Sequence, residues 1–170
     1  MPSERFQNDF DWQRRYIPHM KRIIGEHLIV EAPFEEDEQR NTDLIVFGLS
    51  AVRVACRVRR SKYASRYQDE FTVRLSRPSL APTELSKIIS GWGDYMLYGF
   101  AGPDDLMSAW ILGDLSVFRL WFARKQFDHP GRLPGVEKRN GDGSSTFLAF
   151  DVGSLPDQFV VAREMIREAV

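Results

Sequence analysis

Apolar and polar residues alternate with period two in 52–59 and 70–75, and an apolar run opened by Asp43 spans 43–48; each of the three predicts a strand. In 52–59 the alternation is sharp. Val52, Val54, Cys56 and Val58 fall on one face, and Arg53, Ala55, Arg57 and Arg59 on the other. In 70–75 Phe71, Val73 and Leu75 alternate with Glu70, Thr72 and Arg74. Taken in order, the three strands predict an antiparallel meander with one polar face, the apolar face of 52–59 burying against a helix.

The rest of the pattern predicts a helix over 9–29, where Trp12, Tyr16, Met20, Ile23 and Leu28 recur near helical spacing and Pro18 marks either a kink or the true start. The acidic stretch 31–42 reads as a loop or a short helical turn, and 61–69 as a loop. After a loop at 76–82, Thr83 caps a short helix that ends at GWG, 91–93. Strands follow at 94–101 and 107–113, then a helix capped by Asp114 from Leu115 to about Lys125, with Leu115, Phe118, Trp121 and Phe122 inward. Residues 129–145 read as a long loop, 146–152 as a strand and 154–169 as a closing helix. The expected fold is a single α+β domain over 1–170, a central mixed sheet flanked by helices.

A formal net charge of −1 over 170 residues excludes a wholesale nucleic-acid coat protein, but the charge is polarised. Six acids, Glu31, Glu35, Glu36, Asp37, Glu38 and Asp43, face Arg40 alone in 31–43. Eight bases then crowd 53–77 against Asp69 and Glu70. The N-terminal residues lack the apolar core of a signal peptide, no apolar run is long enough to cross a bilayer, and a cytoplasmic protein is expected. Cys56 is the sole cysteine, so no intrachain disulfide forms; on the apolar face it reads as a buried, inert thiol.

Familiar catalytic motifs are missing: the chain has no glycine-rich phosphate loop, no nucleophile elbow and no Cys/His metal spacing. His19, His27 and His129 read as structural or surface residues. The chemistry lies in the arginine face of 52–59, which follows Asp43 across a turn and suits an anion. Two plainer uses stand beside that one: Asp43 capping a strand or pairing with Arg57 or Arg59, and a solvated face stitched by Asp69, Glu70 and the acids of 35–38. Asp94 suits a turn carboxylate. Trp92 and Tyr95 are expected in the core, with stacking on nucleobases as the alternative.

An acid before a hairpin, followed by basic residues at alternate positions on the next strand and led by an N-terminal helix, resembles the PD-(D/E)XK, or restriction-endonuclease-like, superfamily over roughly residues 9–125. The resemblance implies that Asp43 binds a divalent metal such as Mg²⁺ and that Arg59 stands where the family has its lysine. The family's second acid then falls on Arg57, a departure, because a guanidinium repels a metal ion. Under the resemblance either Glu36, Asp37 or Glu70 supplies that ligand, or the site holds phosphate without cutting it. The NTDL, CRVRR, DEF-T-R, TEL-KI and GWGDY segments are also similar to those of a small phage- and prophage-associated family that brings no firm activity.

The expected function is a phage-type nucleic-acid-binding protein, either a metal-dependent or a degenerate nuclease. Asp43, Arg57 and Arg59 would form its catalytic set, and Arg53, Arg57, Arg59, Arg60, Lys62 and Arg74 would face DNA or RNA. The alternative is a small protein that inhibits or adapts a host protein, through its acidic segment or its basic face. The sequence leaves the oligomeric state open.

Overall fold

The chain opens with two helices rather than the one predicted, α1 (Glu4–Arg14) and α2 (Ile17–Leu28). The computed structural model describes residues 4–31, 44–46, 52–79 and 81–166. The helical run breaks at Arg15 and Tyr16, and Pro18 lies in the first turn of α2, where its missing N–H costs no intrahelical bond. Tyr16, Met20, Ile23 and Leu28 are buried.

Strands β1 (Ile29–Glu31) and β2 (Leu44–Val46) form a separate antiparallel pair. Then come β3 (Val54–Arg59), a short helix α3 (Ala64–Tyr67), β4 (Glu70–Ser76), α4 (Glu84–Ile89), β5 (Tyr95–Ala101), β6 (Met107–Asp114), α5 (Leu115–Asp128), β7 (Val136–Arg139), β8 (Thr146–Asp151) and β9 (Val160–Glu164). They make a four-stranded mixed sheet in the order β3-β5-β6-β9 and a three-stranded antiparallel sheet in the order β4-β8-β7. The α+β class with a mixed sheet and flanking helices is what the sequence predicts.

The meander is not. Of its three strands, β2 pairs with β1, β3 pairs in parallel with β5, and β4 pairs antiparallel with β8. The physical reason is that alternation decides which face of a strand is buried and says nothing of which strand lies beside it. Strand β5 is buried along Met96–Ala101, so it belongs in the sheet interior and needs a neighbour on each side. It takes β3 on one side and β6 on the other. Asp94 fixes the start of the parallel pair: its Oδ2 accepts from the Arg53 N–H at 2.7 Å, and its own N–H donates to the Arg53 carbonyl at 2.8 Å. The expected turn role of that carboxylate is borne out.

The parity itself holds from Val54 onward. Val54, Cys56 and Val58 face a core shared with Tyr16, Met20, Ile23, Leu97 and Leu112, so α2 covers one face of the mixed sheet. The other face packs Met96, Tyr98, Phe100 and Ile111 against Phe71 and Val73 of β4, Phe150 of β8, and Leu115, Phe118 and Phe122 of α5. Val52 lies before the strand and is exposed.

Three further expectations need correction, the first being the loop at 61–69, which instead holds a 3-10 turn (Ser61–Tyr63) and α3. The closing helix is instead a pair of 3-10 turns and β9, which adds to the edge of β6 from Trp110–Glu164 to Gly113–Val160. Pro156 interrupts any helix there, and Phe159 drops onto Gly113, where a Cβ would collide with its ring. The predicted loop 129–145 contains β7, which pairs with β8 after turns at Gly131 and Gly135, both in the left-handed region. The two helix caps hold. Thr83 Oγ1 accepts from the Ser86 N–H at 3.3 Å, and Asp114 Oδ1 accepts from the Ser116 N–H at 2.7 Å.

Candidate nucleic-acid interface

Strand β3 is the edge of the mixed sheet and β4 the edge of the antiparallel one, so the arginine face of β3 looks onto the margin between them. Arg57 shows the arrangement. Its Nη1 donates to Glu84 Oε2 at 2.8 Å and to the Thr72 carbonyl at 3.3 Å, tying β3 to α4 and β4 together. The same Glu84 oxygen accepts from the Arg74 N–H at 2.8 Å.

Arg59 lies one alternation further along. Its guanidinium carbon sits 4.8 Å, 5.3 Å and 5.8 Å from the ring centres of Tyr63, Tyr67 and Phe100. Nη1 is buried and has no hydrogen-bond partner among the described residues. Arg60, on the next residue, stacks over Trp12 of α1 at 3.9 Å and reaches within 3.8 Å of Asp9. Arg77 donates through Nε to the Ala81 carbonyl at 2.9 Å and through Nη2 to the Pro82 carbonyl at 2.6 Å, which holds the loop that forms the far wall.

These residues line one open groove of about 680 Å³. Six basic side chains, Arg57, Arg59, Arg60, Arg74, Arg77 and Lys87, face two carboxylates, Asp9 and Glu84. Phe10, Trp12 and Tyr63 bring aromatic rings to the same walls. The net positive balance of this surface suits a polyanion, with the Arg74 guanidinium and the Lys87 ammonium not held in any ion pair among the described residues.

No protein family, curated protein or solved structure matches the chain.

The groove gathers four of the arginines predicted to face nucleic acid: Arg57 and Arg59 on β3, Arg60 just after it, and Arg74 on β4 of the other sheet. Arg53 lies in an adjoining pocket, and Lys62 is exposed with its ammonium 5.1 Å from the Tyr63 ring. Asp43, Glu36 and Asp37 lie outside the described residues. Glu70 is not in the groove; it pairs with Lys138 at 2.7 Å. Asp69 reaches Arg163 at 3.8 Å. Neither acid stitches the arginine face, as the plainer reading supposed; Glu84 does. No cluster of three or more Asp, Glu, His or Cys side chains suited to a metal ion occurs among the described residues, and a basic groove does not fit one.

An apolar pocket of about 260 Å³ opens beside the groove and shares Cys56, Arg57, Glu84 and Lys87 with it. Trp92 stands at this pocket and is 64% exposed, which corrects its expected place in the core. Tyr95 is half-buried against the α2 side of the sheet. Cys56 is half-buried, and burial pushes its thiol above the ordinary 9.0. A protonated thiol there is neither nucleophile nor metal ligand at neutral pH.

Sequence reasoning missed Glu84, Arg77, Lys87 and the contribution of α1. Glu84 and Lys87 are spaced i, i+3 on one short helix, a pattern that places both on one face. Arg77 continues the basic run just past β4. Nothing local joins Trp12 to Arg60; only the packing of α1 on β3 does, seen also in Gln13 Nε2 donating to the Cys56 carbonyl at 3.2 Å.

Proposed function

We propose that the chain is a nucleic-acid-binding protein that holds a single strand along the β3 edge. The observation that carries this is the convergence of six basic side chains with three aromatic ones on one open groove. Phosphate contacts supply affinity without sequence preference. The exposed ring of Phe10 beside them suits an unpaired base, whose faces a duplex would hide, while the half-buried rings of Trp12 and Tyr63 hold Arg60 and Arg59 over their faces. The restriction-endonuclease-like resemblance enters only on its binding side, as an arginine-bearing strand of a mixed sheet flanked by helices, and cleavage is not part of the proposed activity.

The test is anisotropy of labelled single- and double-stranded DNA and RNA of equal length, titrated with the protein at several salt concentrations. Single strands should bind more tightly, with affinity falling linearly against the logarithm of salt. Absence of any binding at low salt would reject the groove as a nucleic-acid surface and favour an acidic protein partner. Among the described residues no helix is long and apolar enough to cross a membrane.

A further inference from the structure

We infer that the apolar pocket beside the groove takes one unstacked nucleobase of the bound strand, an inference that rests on the groove binding single strands. The pocket lies between β3 and α4, with Val54, Val73, Ile88 and Met96 among its walls. Its volume of about 260 Å³ falls short of the roughly 300–1,000 Å³ typical of sites that enclose whole drug-sized ligands, and suits a single flat ring system.

Trp92 supplies the stacking surface at this site. Its backbone is held by a hydrogen bond from its N–H to the Lys87 carbonyl at 3.0 Å, and Gly91 and Gly93 on either side are both in the left-handed region. The indole is thus placed by a tight turn yet left 64% exposed. A large aromatic side chain left in water beside an apolar pocket is suited to covering a planar ligand.

The charges select the kind of planar ligand. Arg57 and Lys87 line both cavities, so a strand with phosphates in the groove runs past the pocket. The Glu84 carboxylate, held by Arg57 and by the Arg74 N–H, supplies a fixed acceptor for an N–H on the base edge. An aliphatic ligand would fill the walls but use neither feature.

The experiment compares a single strand with a strand of abasic sites of equal length, each against wild-type protein and Trp92→Ala, by anisotropy at low salt. Trp92 is exposed, so the variant should fold normally. Trp92→Ala should weaken the base-bearing strand about tenfold and leave the abasic strand unchanged, a pattern that stacking on Trp12 or Tyr63 cannot produce. Equal weakening of both strands, or no weakening of either, would overturn the pocket while a preserved salt slope kept the groove. Failure of the wild type to bind either strand would overturn both.

Discussion

Arg57 and Glu84 meet at 2.8 Å across two elements, and the same Glu84 oxygen also accepts from the Arg74 N–H. Both side chains are partly exposed, so the ion pair itself contributes at most about 1 kcal/mol to stability. Its larger effect is to hold one cation and one anion at the junction of groove and pocket.

Opposite substitutions at this pair should therefore move binding in opposite directions. Arg57→Ala should weaken single strands and lower the salt slope by about one unit, as loss of one phosphate contact requires. Glu84→Gln removes a negative charge while keeping an acceptor, and should strengthen binding at low salt. Anisotropy titrations of both variants check this. Weakened binding by Glu84→Gln would mean that the carboxylate orients Arg57 and that its charge hardly matters.

Arg59 has two separable uses. Its guanidinium fills a space walled by Tyr63, Tyr67 and Phe100, and its buried Nη1 has no hydrogen-bond partner among the described residues. Replacing a desolvated charge by an apolar chain of similar length is often neutral or stabilising. Arg59→Met should keep stability within about 1 kcal/mol of wild type, or raise it, and still weaken nucleic-acid binding. Urea denaturation and anisotropy on the same preparation decide. A large stability loss with unchanged affinity would make Arg59 a structural residue alone.

The balance between what was legible in the sequence and what was not follows from range. Faces were legible: the alternation of Val54, Cys56 and Val58 with Arg57 and Arg59 depends only on neighbours two residues apart. Caps were legible for the same reason, in Thr83 and Asp114. Strand partners were not, because β3 pairs with β5 through Arg53 and Asp94, and β4 pairs with β8 from Glu70–Asp151 onward. The groove was half legible. Arg57, Arg59 and Arg74 stand on the polar parity of β3 and β4, whereas Trp12 and Glu84 reach the groove only through tertiary packing.

Gly113 tests the strand that replaced the expected closing helix. Phe159 lies where a Cβ on Gly113 would be, and both residues are buried. Gly113→Ala should overpack this contact and destabilise the protein by about 1–3 kcal/mol. Phe159→Leu should recover part of that loss in the double variant while costing stability alone. Chemical denaturation of the three proteins measures the coupling. Additive losses would show that the ring moves aside freely and that β9 does not depend on this fit.

His19 gives the fold a pH dependence with a defined sign. Its Nδ1 accepts from the Met107 N–H at 2.8 Å, which joins α2 to the start of β6 and requires that nitrogen to be unprotonated. Burial and then the Arg22 charge hold its pKa below 6.5, outweighing Glu164 and Glu26, which pull the other way. The unfolded chain takes up this proton near 6.5, whereas the folded chain does so only at lower pH. The stabilisation from His19 is thus full above 6.5 and is lost as pH falls through the folded value. His19→Gln keeps an acceptor for Met107 and does not titrate, so its urea midpoint should fall less than that of wild type between about pH 7.5 and about pH 5. An identical fall in both proteins would assign the acid sensitivity to other groups and leave His19 as a neutral spacer.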